Sequence, residues 1–373
     1  MGARPSGHAA LPFASWPEAD RATYLAACTP GSPFDDPGAA ASWRPATHRS
    51  LCAAYSRWLG FLQSEGVVLA EEGPAERVTP ERLRHYERML RGRCASVTVA
   101  TYLGQLLMFL TDLWPERNWR WLREIQARHQ RLAQPSRVKA ARMVDQMELV
   151  ELGFSLMEQA VARPLPPDLT AGPSHPALLY RDGLMIALLA LRPLRQGNFL
   201  NLILGRHLQR TPEGWRIAIP ASECKTGLAL HMVVPAQLLS ALETYLTVYR
   251  PVLLDMRGPA DRQHRLHPAG HALWVTRCGT AMTPGAQQKQ LRRHCRARFG
   301  HDINPHLFRD CAATTLADEH PEGISLAADL LGHRSTTTTQ AHYIAANQRK
   351  ALQQCQALIL AQRRPSSRKG RTP

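Results

Sequence analysis

The sequence predicts a mainly α-helical protein with a small antiparallel β-sheet, arranged as an all-α domain followed by a larger α+β domain. Three observations predict it. Apolar residues recur at three- and four-residue spacing through most of the chain. Strict alternation occurs in one place, residues 214–219, followed by a turn and a second extended apolar stretch at 230–234. A short, basic, proline-broken segment at 134–142 separates two helical stretches, and 373 residues suffice for more than one core.

The elements follow in chain order. Residues 1–40 are rich in Pro, Gly, Ala and Ser and read as an N-terminal arm, irregular apart from a short helix near 16–28 after Pro17. Residues 41–133 read as a helical domain. Within it, 47–62 sets Leu51, Tyr55, Trp58, Leu59 and Leu62 on one face. Thr79-Pro80-Glu81 is a helix start: a capping hydroxyl, Pro in the first turn, then an acid. The helix that follows carries Arg82, Arg84, Arg88 and Arg91, with Arg93 just beyond. Residues 96–113 and 119–132 complete the domain. The segment 134–142, with Arg137, Lys139 and Arg142, reads as a linker. A second domain spans 143–355: an amphipathic helix from about Asp145, the hairpin at 214–234, a further expected strand at Leu273-Trp274-Val275, and helices elsewhere. Residues 356–373 form a basic tail.

Charge and composition narrow the function. Lys and Arg total 46 against 30 Asp and Glu, a formal charge of +16. Such a surface calls for a polyanionic partner, nucleic acid or an anionic membrane face. The longest apolar run, Leu184 to Leu191, falls far short of the roughly 18–20 residues of a spanning helix. No sustained apolar stretch marks an export signal in the first twenty residues. The eight cysteines are scattered without a Cys-x-x-Cys pair, which fits a reducing cytosol and gives no zinc ribbon. His264, His267 and His271 have metal-like spacing, but their loop also holds Arg262 and Arg265 and reads as solvated or DNA-facing.

Chemistry concentrates in four segments of the second domain. In Leu191-Arg192-Pro193-Leu194-Arg195-Gln196-Gly197-Asn198 an apolar helix ends, the chain bends, and a new helix starts at Arg195. Glu223-Cys224-Lys225-Thr226-Gly227 puts a lysine in the hairpin turn. In Asn304-Pro305-His306-Leu307-Phe308-Arg309, Asn304 caps a helix and His306 and Arg309 share its face. Leu331-Gly332-His333 reads as a helix C-terminal turn, followed by a threonine run and Tyr343. Each alone is commonplace: a solvated Arg, an exposed turn Lys, a packed Tyr. Their joint order is what carries information.

That order resembles the tyrosine recombinases, the phage-integrase family. Their pattern is an Arg in a helix-turn segment, a Lys in a β-hairpin, His-x-x-Arg, a Leu-Gly-His turn, and a Tyr nucleophile about ten residues on. The matching positions are Arg195, Lys225, His306, Arg309, His333 and Tyr343. The resemblance implies an all-α core-binding domain and an α+β catalytic domain that together clamp duplex DNA, with Arg137, Lys139 and Arg142 of the linker on phosphates. It further implies a homotetramer on two duplexes, in the cytoplasm at the nucleoid, with room for accessory DNA-bending or co-recombinase proteins and no membrane partner. Integration or transposition of a mobile element is the expected setting.

The chemistry agrees with the pattern. Tyr343 supplies a phenolate for a covalent 3′-phosphotyrosine link. Arg195 and Arg309 clamp the phosphorane oxygens; His306 and His333 donate to them or move the nucleophile's proton. Lys225 protonates the leaving 5′-oxygen. The covalent link conserves the phosphodiester, so the reaction asks for no cofactor, neither ATP nor metal. Two positions depart from the pattern: Asn198 stands where an acid is usual, and His342 precedes Tyr343 where an apolar residue is common. Arg192 competes with Arg195; the apolar spacing of Phe199, Leu200 and Leu202 favours Arg195. A DNA-binding regulator that no longer cleaves is the alternative. An RNA-binding protein is a weaker one, for want of aromatic-rich segments.

Overall fold

The helix Ser96–Leu113 shows how this chain builds a core. By length and hydropathy it could cross a membrane, yet Leu103, Leu106, Phe109 and Leu110 are fully buried against its neighbours. The computed structural model describes residues 9–134, 140–166, 174–255 and 270–319. Contacts divide the chain into two units, Met1–Val138 and Lys139–Pro373.

The first unit holds α1 (Glu18–Ala27), α2 (Pro45–Ser64), α3 (Pro80–Arg91), α4 (Ser96–Leu113) and α5 (Arg120–Leu132). Thr79 caps α3 by accepting the Arg82 amide. Tyr55 of α2 stacks on Phe109 of α4, with centroids 4.5 Å apart. The short helix expected near 16–28 forms as α1, but this stretch packs into the domain core instead of standing apart as an arm. Trp16 is buried in the same core and donates from its indole to the Ser56 hydroxyl. Asp20 of α1, fully buried, accepts from Arg77 at 2.6 and 3.0 Å and from the Tyr55 hydroxyl at 2.5 Å. Burial first, then the Asp20 charge, pushes the Tyr55 phenol well above its ordinary range. Pro17 sets the entry to α1, and Trp16, Tyr24 and Asp20 fasten the segment to the core.

The second unit holds α6 (Gln146–Val161), α7 (Pro176–Leu191), α8 (Gln196–Leu200), β1 (Leu208–Thr211), β2 (Gly214–Ile219) and β3 (Leu230–Val233). After these come α9 (Leu239–Thr244), a π-helical turn (Tyr245–Tyr249), α10 (Arg250–Asp255), α11 (Pro284–Phe299) and α12 (Pro305–Glu319). Helices α6 and α7 pack through glycine: a Cβ at Gly183 would lie 2.5 Å from the Gly153 carbonyl oxygen, so only hydrogen fits. The sheet is an antiparallel meander in the order β1-β2-β3, with Leu208 opposite Ile217 and Ile217 opposite Met232. Its third member, β1, escapes the sequence pattern, because Leu208-Gln209-Arg210-Thr211 is too short and polar to alternate visibly. Leu273-Trp274-Val275 is fully buried but forms no strand; it makes one isolated bridge, Val275 to Ala281, and another, Ile203 to Ala272, lies just before it. Its neighbours there are loop segments too short for a ladder.

Candidate active site

Arg195 is the N-cap residue of α8, with extended backbone. The apolar helix α7 stops at Leu191, and Pro193 prevents its continuation. Phe199 then stacks on Trp274, centroids 4.9 Å apart, and accepts the Trp274 indole N–H at 2.9 Å, which anchors α8 to the core. Arg195 is half-buried. Arg192 is used elsewhere: its guanidinium donates to the Val233 carbonyl at 3.1 Å and to Leu191 at 2.9 Å, tying α7 to β3.

Helix α12 begins as the sequence suggests. Asn304 Oδ1 accepts the His306 and Leu307 amides, both at 3.0 Å, and Pro305 opens the helix. His306 is exposed; Arg309, one turn on, is buried and donates to the Pro193 carbonyl. Burial, and then the neighbouring Arg195 charge, pull the Arg309 guanidinium down to about 10, with Asp310 opposing. It keeps its proton at neutral pH, and the Arg195 charge lies near enough to act on it. Two guanidinium groups from distant parts of the chain form an arrangement suited to a phosphate.

Lys225 is exposed on the connection between β2 and β3. A 3-10 turn, Ala221–Glu223, leads into a tight turn closed by the Gly227 amide on the Cys224 carbonyl at 3.0 Å. Gly227 has φ +68°, which a glycine adopts without strain. Lys225 occupies the corner of that turn. The two residues before it are held. Glu223 pairs with Arg206, and its other oxygen lies 3.0 Å from His207 Nε2. Cys224 is fully buried, and its sulfur receives the Asn198 amide at 3.6 Å. Asn198 belongs to α8, three residues after Arg195. The segment 193–198 is therefore touched by Arg309 from α12 and by Cys224 beside Lys225. Arg195, Lys225, His306 and Arg309 thus sit on elements that meet.

Arg142 lies at the start of the second unit. It donates to the Asp302 carbonyl at 2.8 and 3.1 Å, bracing the loop that enters α12. Arg137, Lys139, His333 and Tyr343 lie outside the described residues, as do His264, His267 and the tail 356–373.

Two features escaped sequence reasoning. One is a buried charge cluster joining α7 to α11. Asp182 accepts from Arg181 Nε at 2.9 Å and lies 2.9 Å from His294 Nε2, while Arg181 also donates to the Val275 carbonyl at 2.7 Å. Burial alone would raise the Asp182 pKa; the Arg181 charge and His294 outweigh it and hold the carboxyl below its ordinary value. The other is the basic outer face of α11, where Lys289, Arg292 and Arg296 are exposed. Arg292 and Arg296 are partly balanced by Asp302. In the first unit, a cleft of about 350 Å³ between α3 and α5 has Leu83 and Ile125 inside and Arg84, Arg91 and Arg128 around it. Arg82, expected on that face, is instead held by Glu72 at 2.6 and 2.7 Å.

No family model matches the chain. Over 85 residues it is 34% identical to the tyrosine recombinase XerC of Azotobacter vinelandii; the match spans 23% of this chain and 28% of that protein's length. Among solved structures, XerH site-specific recombinase bound to a palindromic difH substrate, in its post-cleavage complex, is similar in fold. The TM-score is 0.50 at 15% identity, covering 82% of this chain and 77% of that one. The pre-cleavage complex of XerH with difH gives 0.49 at 15% identity over 80% and 76%.

Proposed function

We propose that this chain, which resembles the tyrosine recombinases in signature and shares their fold, is a site-specific DNA recombinase of integrase or transposase type. The observation that carries the reading is the convergence on segment 193–198. Arg309 donates to Pro193, Arg195 caps α8, and Asn198 reaches the residue beside Lys225. Three of the four signature segments are therefore in contact, which supports a phosphate clamp there.

In this mechanism the Tyr343 oxygen attacks the scissile phosphorus and loses its proton to the histidine pair or to solvent. Arg195 and Arg309 hold the non-bridging oxygens as charge builds on them. The bond from phosphorus to the 5′-oxygen breaks, and Lys225 gives that oxygen its proton. The product is a 3′-phosphotyrosyl link and a free 5′-hydroxyl. Attack by the 5′-hydroxyl of another strand reverses the step and completes an exchange. The basic faces of α3, α5 and α11, with Arg137 and Lys139, serve to hold the duplex backbone. Arg142, committed to Asp302, serves the site by bracing α12. A tetramer on two duplexes supplies the four cleavage events of a full exchange.

The test uses a supercoiled plasmid carrying DNA that flanks this gene, incubated with purified protein in EDTA and quenched with detergent. Wild-type protein should become covalently attached to DNA, and Tyr343→Phe should not. Tight, salt-sensitive binding with no adduct would overturn the reading in favour of a non-cleaving regulator, the alternative that Asn198 at the usual acidic position favours.

A further inference from the structure

We infer that Glu223 and Cys224 form a latch that positions Lys225, so that the leaving-group proton is delivered from a place set by the Arg195 segment. This rests on the recombinase reading. A lysine on a freely moving hairpin delivers its proton poorly, because the long stem samples many positions and productive ones are rare. The connection from Pro220 to Ala229 is largely exposed, and its tip invites that expectation.

The geometry opposes it. Cys224 is fully buried, its sulfur 3.6 Å from Asn198 Nδ2 and 4.0 Å from the Ile219 carbonyl oxygen. The Glu223 carboxylate pairs with Arg206 through one oxygen, and its other oxygen lies 3.0 Å from His207 Nε2 without hydrogen-bond geometry. His207 is itself buried and fixed: its Nδ1 lies 2.9 Å from the Asn201 carbonyl oxygen, and its own carbonyl accepts the Ala218 amide at 2.8 Å. The two holding side chains, Asn198 and Arg206, and the adjacent His207 lie on the stretch that follows Arg195. Beyond the latch, the Cys224 carbonyl closes the turn on Gly227. Lys225 thus follows a buried residue and lies inside a closed turn. Asn198 carries out this tie where the resemblance expects an acid. Its amide donates to a sulfur, a contact that a carboxylate could not make in the same sense.

The experiment separates positioning from folding. Duplexes spanning the cleavage position mapped on the plasmid are made with oxygen or with sulfur at the 5′-bridging atom. A thiolate leaves without a proton, so sulfur removes the need for Lys225. Cleavage by Lys225→Ala should be slow on oxygen and restored on sulfur, whereas Arg309→Gln should remain slow on both. Cys224→Ala, Glu223→Gln and Asn198→Leu should behave like Lys225→Ala. Each should lose about ten- to hundredfold on oxygen DNA, recover on sulfur DNA, and bind the duplex as wild type does. Equal loss on both substrates, or no loss on oxygen, would overturn the latch while leaving the recombinase reading intact. Absence of an adduct from wild-type protein on either duplex would instead overturn the recombinase reading, and the latch with it.

Discussion

The pairing of Arg195 with Arg309 sets two like charges close together, one of them largely out of water. The Arg195 charge opposes the charged form of the buried Arg309, and Asp310 favours it. Replacing Arg195 by Gln should therefore leave the melting temperature unchanged or raise it. The same change should cut covalent adduct formation by about 10²- to 10³-fold, the usual cost of removing one transition-state donor. A fall in melting temperature would mean that Arg195 supports the fold instead. At this scale much was legible. Asn304 as cap and Pro305 as helix opener follow from local chemistry and stand as read. The choice between Arg192 and Arg195 was open to local reasoning, and the Arg192 contacts with Val233 and Leu191 now account for Arg192. What could not be read is Cys224 against Asn198 or Glu223 against His207. Those pairs join residues far apart in sequence, and nothing in either local pattern announces the other.

At the scale of elements, the helices were legible and the irregular pieces were not. Amphipathic spacing recovers α2 to α5 nearly to their ends, because each buries one stripe. It misses β1, which is four residues long, and it turns the buried run 273–275 into a strand because apolar sequence does not distinguish a ladder from a packed loop. Arg181 and Asp182 read as polar punctuation beside an apolar run, yet they are interior and pin α7 to α11 with His294. Asp182→Asn would leave the Arg181 charge buried without its counter-ion and should cost about 3–5 kcal/mol in denaturant unfolding at neutral pH. The sign of the pH dependence follows from the lowered Asp182 pKa. Its contribution is complete above the ordinary carboxylate value of about 4 and is lost as pH falls through the folded one. The gap between wild type and variant should therefore narrow in acid; a gap that widens there would contradict the assignment.

The whole molecule is two units with separate cores. A fragment of residues 9–134 should therefore unfold cooperatively on its own, as followed by circular dichroism against denaturant; a broad, non-cooperative melt would contradict that. The same fragment should bind duplex DNA with a shallower dependence on salt than the full chain. Every phosphate that the fragment no longer neutralises takes about 0.9 off the slope of log affinity against log salt. A composition-based reading divides residues 1–40 from this unit, since Pro and Gly suggest irregularity, but Trp16 and Asp20 decide otherwise. Their attachment has a consequence for biosynthesis. The carboxylate of Asp20 has its counter-ion at Arg77. A nascent chain thus carries its first helix undocked until Arg77 has left the ribosome. Leu122, in the last helix of that core, is fully buried as well, so closure waits for nearly the entire unit. Its core residues and those packed on them all lie between Leu11 and Ile125. The unit with the basic α3–α5 cleft is then finished while the segments bearing Arg195, Lys225 and Arg309 have yet to be made, and synthesis itself separates the folding of one half from the assembly of the other.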